Sequence, residues 1–291
     1  MNAVKRKNLA PWLKKSLGQP SRLHEVKKVL RQRNLHTVCE SARCPNIGEC
    51  FSKPTAAFMI LGDICTRSCG FCSVDKDASP LAVDPIEPMN IALTAKDMEL
   101  KHVVITSVTR DDLEDFGAGQ FALTIRAIKD TISSISVEIL TPDFKGDKPC
   151  LKTVMDARPD IFNHNLETVP SLYGIVRPQA DYKRSLKVLE TAKEMSDDII
   201  TKSGIMVGLG ETKDEVKRVL NDLKSSNCDA VTIGQYLRPT RNNLEVKGYI
   251  HPDLFREYEE YGKEIGLKYV YSGPFVRSSY NAEKTVRELL S

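Results

Sequence analysis

Three cysteines lie within eight residues of the chain, in the sequence CTRSCGFC from residue 65 to residue 72. Cys65, Cys69 and Cys72 have C-x3-C-x2-C spacing, and thiolates spaced in this way can bind three irons of a 4Fe–4S cube. The fourth iron would then have no protein ligand, and a substrate could coordinate it. The alternative is zinc, but a closed structural zinc site requires four ligands, and the loop contains no fourth cysteine or histidine. The spacing therefore favours an iron–sulfur site.

A second set of three cysteines lies just upstream, in the sequence CESARCPNIGEC. Cys39, Cys44 and Cys50 have C-x4-C-x5-C spacing, again with three ligands rather than four. The other two cysteines, Cys150 and Cys228, stand alone, and we expect them to be small buried hydrophobic side chains. Six cysteines clustered in this way, with no secretory signal beside them, favour metal binding over a disulfide framework.

The composition is that of an ordinary soluble globular protein, with 41% hydrophobic and 28% charged residues in a chain of 291. That length suits one large domain such as an α/β barrel. No stretch approaches the run of about 18 apolar residues that spans a bilayer. The start, MNAVKRKNLAPWLKK, is basic without an apolar region, so we expect no signal peptide. The expected location is the cytoplasm, or an organellar matrix if a transit peptide has been removed.

The positive charge of the chain is concentrated near its beginning. The net charge is only +3, but residues 1–33 contain ten Lys and Arg against one acid, Glu25. Two interpretations are open: a solvated basic helix face, or an arm that contacts an acidic partner or nucleic acid.

Short apolar runs alternate with longer amphipathic runs after residue 55. The predicted strands are 56–62, 102–108, 135–140, 160–165, 201–208, 230–236 and a later one at 268–273. The predicted helices are 91–100, 118–133, 148–157, 181–196, 211–225 and 252–265. This alternation predicts a parallel sheet with right-handed crossovers. Six or so units are too few for a closed eight-fold barrel. We therefore predict the α/β class, with an open partial (β/α)6 TIM-type barrel at 51–268, a cysteine-bearing extension at 1–50 and a short extension at 269–291.

Polar loops follow the predicted strands, at the end of a barrel where chemistry takes place. They are the cysteine loop, TRDD (109–112), TPDF (141–144), NLET (165–168), GLGET (208–212) and YLRPT (236–240). Each one alone could be a plain turn. Their shared position beside the cysteine loop predicts a site at this edge of the sheet.

The C-x3-C-x2-C spacing resembles the signature of the radical S-adenosylmethionine enzymes. In that family the open iron chelates the amino and carboxylate groups of S-adenosylmethionine. An electron delivered through the cluster then cleaves the sulfonium bond, which gives methionine and a 5′-deoxyadenosyl radical. The resemblance implies that Phe71 packs near the adenine, with ordinary core packing as the alternative.

The upstream triad, together with CPNIGEC, FMILGD, NHNLE, MVGLGE and GPFVRSSY, is similar to the lipoyl synthase family, from about residue 36 to about residue 280. In that family the upstream triad binds an auxiliary 4Fe–4S cluster whose fourth ligand is a serine of an Arg-Ser-Ser-Tyr motif. The resemblance assigns this ligand to Ser279, with Ser278 as the alternative. The implied reaction inserts two sulfur atoms, at carbons 6 and 8 of an octanoyl chain held in amide linkage on a lysine of a lipoyl carrier domain. The auxiliary cluster is the implied sulfur source.

The resemblance also implies softer roles for residues in the strand-end loops. Contacts with S-adenosylmethionine are implied for Arg110 and Asp111, for Asn165 and Glu167, and for the turn of Gly208, Gly210 and Glu211, whereas Arg277 could contact the octanoyl or peptide carbonyl. Surface ion pairs and a helix cap at Glu211 are the structural alternatives. After YLRPT the family usually reads His-Leu-Pro-Val, but here NNLEV (242–246) lacks the His and the Pro. This departure puts the details of carrier docking in doubt, while the cluster motifs are not expected to depend on it.

The implied cofactors are two 4Fe–4S clusters and S-adenosylmethionine. The implied partners are an octanoylated lipoyl carrier domain or glycine cleavage H protein, a reductant such as ferredoxin or flavodoxin, and a cluster-assembly protein; we expect neither nucleic acid nor a membrane. The runner-up is another sulfur-inserting radical enzyme of the biotin synthase or methylthiotransferase type, against which the second triad and RSSY argue. A non-catalytic electron carrier would usually close each cluster with four cysteines. A nucleic-acid-binding zinc protein would bind with steep salt dependence.

Overall fold

A computed structural model of the chain describes residues 10–15, 20–52, 57–77, 79–280, 282 and 288. The strands in this part of the chain are β1 (His36–Thr37), β2 (Ala57–Ile60), β3 (Ile64–Cys65), β4 (Asp75–Lys76), β5 (His102–Ser107), β6 (Ser136–Leu140), β7 (Ile161–Asn163), β8 (Ile200–Val207), β9 (Ala230–Gln235) and β10 (Tyr269–Gly273). The α-helices are α1 (Pro20–Gln32), α2 (Val38–Ser41), α3 (Ile47–Cys50), α4 (Glu87–Asp97), α5 (Ala118–Thr131), α6 (Lys148–Met155), α7 (Tyr173–Val176), α8 (Tyr182–Met195), α9 (Lys213–Ser225) and α10 (Pro252–Glu264).

Eight of these strands form one sheet in the order β1-β2-β5-β6-β7-β8-β9-β10. All neighbours from β2 to β10 are parallel, and only β1 runs antiparallel, against β2. The edge strands β1 and β10 are not paired with each other, so the sheet does not close. The structure confirms the predicted α/β class and open partial barrel, to which β10 adds a seventh parallel strand.

The sequences of the central strands are nearly continuous apolar runs, which is typical of parallel strands covered on both faces, and these strands are buried. Every residue of β2 and of β9 is buried. The outer helices start at well-defined caps. Asp181 accepts from the Arg184 N–H ahead of α8, and Thr212 forms a capping box with Glu215 ahead of α9. These caps fix where each strand-end loop stops.

A buried ionic cluster lies inside the sheet. Glu138 on β6 and Lys202 on β8 are both fully buried and form a 2.8 Å ion pair. Asn163 donates to the same carboxylate at 3.2 Å, and His102 Nε2 lies 3.5 Å from it. Burial would raise the pKa of Glu138, but the Lys202 ammonium and His102 outweigh burial and hold it at about 2.

A shorter sheet lies beside the main one. Strands β3 and β4 pair in parallel, Ile64 with Asp75 and Cys65 with Lys76. This pair brackets the three-cysteine loop at its two ends. None of the helices in the described part of the chain combines the length and the apolar character that crossing a bilayer requires.

Candidate functional site

The three-cysteine loop lies at the carboxyl end of β2, where the barrel prediction expected the site. Backbone N–H groups point at the first sulfur: Cys65 Sγ accepts from Thr109 N at 3.3 Å and from Arg67 N at 3.5 Å. All three cysteines of the loop are free and partly buried. These two N–H groups hold the Cys65 side chain in place at the start of the loop.

The loop thiols lie close enough to influence one another. The pKa of the Cys72 thiol is raised to about 11, mainly by burial and in part by the thiols of Cys69 and Cys65, against an opposing hydrogen bond from the Val74 backbone. Burial likewise raises the pKa of the Cys69 thiol, while the Arg177 guanidinium opposes that shift. Iron binding must therefore displace protons from this loop.

A buried arginine anchors the loop to two other strand ends. Arg67, which is 5% exposed, donates to both Asp111 oxygens at 2.6 and 2.9 Å and to Asp143 at 2.7 Å. Arg184 holds the second Asp143 oxygen at 2.8 Å. Burial would raise the pKa of Asp143, but Arg67 and Arg184 keep it well below its ordinary value. The carboxylates after β5 and β6 thus hold the loop in place.

Arg110 and Asp111, which were expected to contact S-adenosylmethionine, are both paired within the protein. The buried Arg110 guanidinium binds the Asp112 carboxylate, with the shortest contact at 2.7 Å. One nitrogen of Arg110, Nη1, is buried without a hydrogen-bond partner. Asp111 serves Arg67 instead. Of the Arg110 and Asp111 side chains, Arg110 therefore keeps one N–H group, on Nη1, that could donate to a bound molecule.

Three polar residues meet at the ends of β7 and β8. Asn165 Nδ2 donates to Glu167 Oε1 at 3.0 Å and to Ser278 Oγ at 2.7 Å, while Asn165 Oδ1 is buried without a partner. Burial raises the pKa of Glu167, and Arg177 opposes the rise. The structure thus brings Asn165 and Glu167 together, and it adds Arg177, whose Nη1 donates to the Asn165 carbonyl at 2.8 Å.

His164, the residue before Asn165 in the chain, is held neutral. Its Nδ1 lies 2.9 Å from the Thr141 carbonyl, so Nδ1 carries the proton. Burial and the neighbouring Arg177 lower the pKa of His164 to about 4. Its Nε2 is buried and unpartnered. The strand ends therefore present several polar atoms with unused hydrogen-bonding capacity, which fits a polar ligand.

The predicted glycine turn, from Gly208 to Glu211, is held by hydrogen bonds to the Glu211 carboxylate. Glu211 accepts from the N–H groups of Gly208 at 2.5 Å and Leu209 at 2.9 Å. Gly208 and Gly210 both have positive φ, +99° and +119°. The Glu211 carboxylate thus shapes the turn, and the helix cap is Thr212 rather than Glu211.

Phe71 belongs to a small apolar cluster at the edge of the barrel. The cluster has Val176, Leu209 and Tyr236 at its centre, and Phe71 packs against them half-buried. Its role beside an adenine stays a prediction.

The segment NNLEV (242–246) lies against the three-cysteine loop. The Leu244 N–H donates to the Gly70 carbonyl at 3.0 Å, and the Leu244 side chain approaches Gly70 so closely that a Cβ there would fall 2.9 Å from it. Asn243 Nδ2 donates to the Cys72 carbonyl at 2.8 Å. The segment therefore contacts the backbone of the loop, and the expectation that the cluster motifs do not depend on it stays a prediction.

The upstream cysteines lie on and between two short helices. Cys39 is in α2 and Cys50 ends α3, while the Cys44 N–H donates to the Cys39 carbonyl at 3.0 Å. Burial raises the pKa of Cys39, and the thiols of Cys44 and Cys50 add to the rise. The Ser73 hydroxyl donates to the Ser41 carbonyl at 2.7 Å, which joins this segment to the end of the three-cysteine loop.

The segment GPFVRSSY packs directly onto the upstream cysteine segment. Asn46 Nδ2 donates to the Phe275 carbonyl at 2.7 Å, and the Tyr280 hydroxyl lies 3.1 Å from both Glu49 oxygens. Lys15 forms a 2.7 Å ion pair with Glu49 and lies over the rings of Phe275 and Tyr280. The structure thus joins two parts of the sequence that are more than two hundred residues apart.

Two glycines let this segment cross the ends of β8 and β9. A Cβ on Gly204 would fall 2.8 to 2.9 Å from polar atoms of Asn165, Thr232 and Ser278. A Cβ on Gly234 would clash with the carbonyl oxygen of Val276. A larger residue at Gly234 would therefore clash with the backbone just before the serine motif, whereas at Gly204 it would meet only the ends of side chains.

The serine motif contacts both the strand ends, through Asn165, and the upstream cysteine segment, through Glu49. Ser278 Oγ is held by Asn165, whereas no hydrogen bond of the Ser279 hydroxyl is found among the described residues. Burial lowers the pKa of Arg277, and the Cys44 thiol and the Glu167 carboxylate oppose that shift. Arg277 is therefore close enough to interact with both the upstream cysteines and the strand-end carboxylate.

Sequence reasoning missed three cations at the site: Arg67, Arg177 and Lys15. A charged residue inside a cysteine loop is a signal that could have marked Arg67. Nothing local marks Arg177, whose partners come from chain folding. Among the described residues, no three His, Cys, Asp or Glu side chains converge to hold a single metal ion. Cysteines that bind separate corners of a cube need not converge in that way.

Comparison with known proteins agrees with this geometry. Residues 59–223 match the model of the radical SAM superfamily, and residues 1–44 match that of the N-terminal domain of lipoyl synthase. The crystal structure of methylornithine synthase (PylB) shares the fold, with a TM-score of 0.52 at 15% identity over 92% of this chain and 91% of that one. An open parallel barrel with a three-cysteine loop after its first barrel strand defines a radical S-adenosylmethionine enzyme.

Relatives with high sequence identity show which family within the radical S-adenosylmethionine enzymes the chain belongs to. Lipoyl synthase of Caldicellulosiruptor saccharolyticus is 55% identical over 276 residues, which cover 95% of this chain and 96% of that protein. Lipoyl synthase of Rubrobacter xylanophilus is 54% identical over 277 residues, 95% of this chain and 86% of that protein. The chain belongs to the lipoyl synthase family.

Proposed function

We propose that the chain inserts two sulfur atoms, at carbons 6 and 8 of an octanoyl chain carried on a lysine of a lipoyl carrier domain. The observation that carries this proposal is the contact between the upstream cysteine segment and the serine motif, through Asn46, Glu49 and Tyr280. It brings a second set of sulfur ligands beside the strand-end site. A radical enzyme with a single cluster would need no such arrangement.

The two cysteine sets receive different roles in this proposal. Cys65, Cys69 and Cys72 hold the 4Fe–4S cluster that binds S-adenosylmethionine. Cys39, Cys44 and Cys50 hold the second cluster with a serine oxygen as the fourth ligand. When bound, the first cluster supplies the electron for cleavage of S-adenosylmethionine, and the second supplies sulfur.

Ser279 is the proposed serine ligand rather than Ser278. Its support is that Ser278 Oγ already accepts a 2.7 Å hydrogen bond from Asn165. A serine oxygen is a hard ligand among soft thiolates, so we expect it to be released before the cysteines.

The strand-end residues would bind and orient S-adenosylmethionine. The Glu167 carboxylate and the unpartnered Asn165 Oδ1 are acceptors suited to its amino group or ribose hydroxyls. Arg177 places positive charge near Cys69 and Glu167. Phe71 offers an apolar surface to the adenine. No side chain need act as a conventional base, since the contribution of the protein is placement.

Arg277 is proposed to contact the octanoyl or peptide carbonyl. Its guanidinium donates to the Val276 carbonyl at 2.6 Å, and its charge acts on both Cys44 and Glu167, which supports a substrate carbonyl bound near both centres. The methylene chain would then be within reach of both. The carrier is proposed to be a lipoyl domain or glycine cleavage H protein, the reductant a ferredoxin or flavodoxin, and a cluster-assembly protein would reload the second site in the cytoplasm.

The test separates the two cysteine sets by substitution. Replacing Cys65, Cys69 and Cys72 by Ala should abolish 5′-deoxyadenosine formation, because these thiolates are the proposed ligands of the cleaving cluster. Replacing Cys39, Cys44 and Cys50 by Ala should leave cleavage intact and abolish sulfur transfer. Iron should fall from about eight to about four per chain in either triple variant.

Matched controls come from the two isolated cysteines. Cys150 and Cys228 are buried away from both sets, so Cys150→Ala and Cys228→Ala should keep the full iron content. Continued 5′-deoxyadenosine formation without the three-cysteine loop, or lipoyl product without the upstream triad, would contradict the assignment.

A further inference from the structure

The side-chain amide of Asn243 joins the three-cysteine loop to Thr240. It is buried, with 8% of its surface exposed. Nδ2 donates to the Cys72 carbonyl at 2.8 Å and to the Gly70 carbonyl at 3.3 Å, while Oδ1 accepts from Thr240 Oγ1 at 2.6 Å. The two carbonyls lie on either side of Phe71. One amide therefore clamps the backbone that carries both Phe71 and the last cysteine.

The clamp also matters electrostatically. Carbonyl oxygens carry partial negative charge, as do the thiolates that bind iron. The Asn243 N–H groups offset part of that charge; the Gly70 carbonyl also accepts from the Leu244 N–H at 3.0 Å, whereas the Cys72 carbonyl takes its 2.8 Å hydrogen bond from Asn243. Thr240 in turn fixes the amide, because its hydroxyl occupies Oδ1 and so directs Nδ2 at the loop.

We propose that Asn243 is a positioning residue for the cluster that binds S-adenosylmethionine, acting through the conformation of residues 70–72. This inference rests on the proposed function, since it takes the three-cysteine loop as the site of that cluster. The amide nitrogen of Asn243 carries two N–H groups, one for each carbonyl. This chain can therefore hold both carbonyls with one side chain.

The test compares two isosteric substitutions. Asn243→Asp keeps the shape but replaces the donor by an acceptor. Asn242→Asp adds the same charge one residue away, at an exposed position. In N243D, amide hydrogen exchange at residues 70–74 of the full chain should be about tenfold faster, and S-adenosylmethionine should bind the reconstituted enzyme about tenfold more weakly. N242D should stay within about twofold of the unsubstituted chain in both measurements.

A conservative variant and the cluster-free chain add independent readouts. Asn243→His retains one N–H, so its exchange rate and its affinity for S-adenosylmethionine should fall between those of N243D and the unsubstituted chain. In the cluster-free chain, exchange at residues 70–74 should also be faster in N243D, because the clamp is made by the protein alone.

Two outcomes would overturn the inference. One is equal exchange and equal affinity in N243D and N242D. The other is faster exchange spread evenly over β5 to β9, because that would report global destabilisation rather than loss of a clamp. Cleavage of S-adenosylmethionine by the unsubstituted chain distinguishes a failure of the proposed function from a failure of the role proposed for Asn243. If it forms no 5′-deoxyadenosine, the proposed function fails; if it does and N243D behaves like N242D, only the role of Asn243 fails.

Discussion

Arg67 should contribute more to stability than its position in a loop suggests. The substitution Arg67→Met keeps the apolar stem and removes three charge-assisted hydrogen bonds, at 2.6, 2.9 and 2.7 Å, to Asp111 and Asp143. Removing one partner of a buried ion pair costs about 3–5 kcal/mol. Arg184 still neutralises Asp143, and Asp111 is partly exposed, so the expected loss is at the lower end, about 3 kcal/mol.

Urea unfolding of the cluster-free chain under anaerobic conditions measures this loss directly. Arg184→Met is the matched control, because it removes the other cation on Asp143 from a side chain that is 30% exposed, and it should cost about 1 kcal/mol or less. Arg67→Lys keeps the charge without the bidentate geometry and should retain part of the stability. Iron content after reconstitution should fall in the same order as stability.

Equal losses in Arg67→Met and Arg184→Met would refute the reasoning, since burial would then make no difference to the pair. Full stability of Arg67→Lys would also count against it, because a point charge would then replace the planar fork at no cost.

Three further predictions concern the core, the crossing of the serine motif and the basic start. Gly234→Ala should displace the serine motif and lower iron from about eight towards about four per chain, while Gly174→Ala, whose Cβ would meet nothing within 4 Å, should leave iron unchanged. Lys202→Met should cost about 3–5 kcal/mol in urea unfolding at pH 7, by stranding the buried Glu138, and a second substitution Glu138→Leu should recover most of it. The pKa of Glu138 is lowered from its ordinary value of 4.5 to about 2, so Glu138 stabilises the unsubstituted fold at pH values above 4.5. That stabilisation should be lost as the pH falls towards 2. Lys15→Ala should lower the free energy of unfolding by about 1 kcal/mol. It should weaken sulfur transfer equally to an intact octanoylated carrier and to a short octanoyl-lysine peptide. A loss of transfer confined to the carrier would instead favour an arm that contacts an acidic partner.

The barrel strands could be predicted to within a residue or two because each is a short apolar run between polar turns. The strand predicted at 102–108 is found at His102–Ser107, and the one at 230–236 at Ala230–Gln235. The helix predicted at 91–100 instead spans Glu87–Asp97. Pro88 lies in its first turn, where a missing N–H costs nothing, so the helix begins earlier than its apolar pattern.

The environment of the cysteines could not be predicted in the same way. Cysteine spacing identifies the ligands, but the short helices α2 and α3 have too few residues to show a period. The contacts of Arg67 join residues 44 and 76 positions apart, which no local pattern reveals. The basic start illustrates the same limit: Lys15 and Lys27 pair with Glu49 and Glu40 of the upstream segment. Lys5, Arg6 and Lys7 lie outside the described residues.

The packing of residues 275–280 on the upstream cysteine segment has a consequence for synthesis in the cell. The three-cysteine loop and its anchors at Asp111 and Asp143 leave the ribosome early. Tyr280, which contacts Glu49, follows about 200 residues after the loop, a delay of about 10 to 40 seconds at ordinary translation rates. Until then the upstream segment lacks the contacts that cover it. The three-cysteine loop gains its last contacts at Asn243 and Leu244, before Tyr280 is made, so the upstream thiols stay exposed to oxidants for longer in a nascent chain.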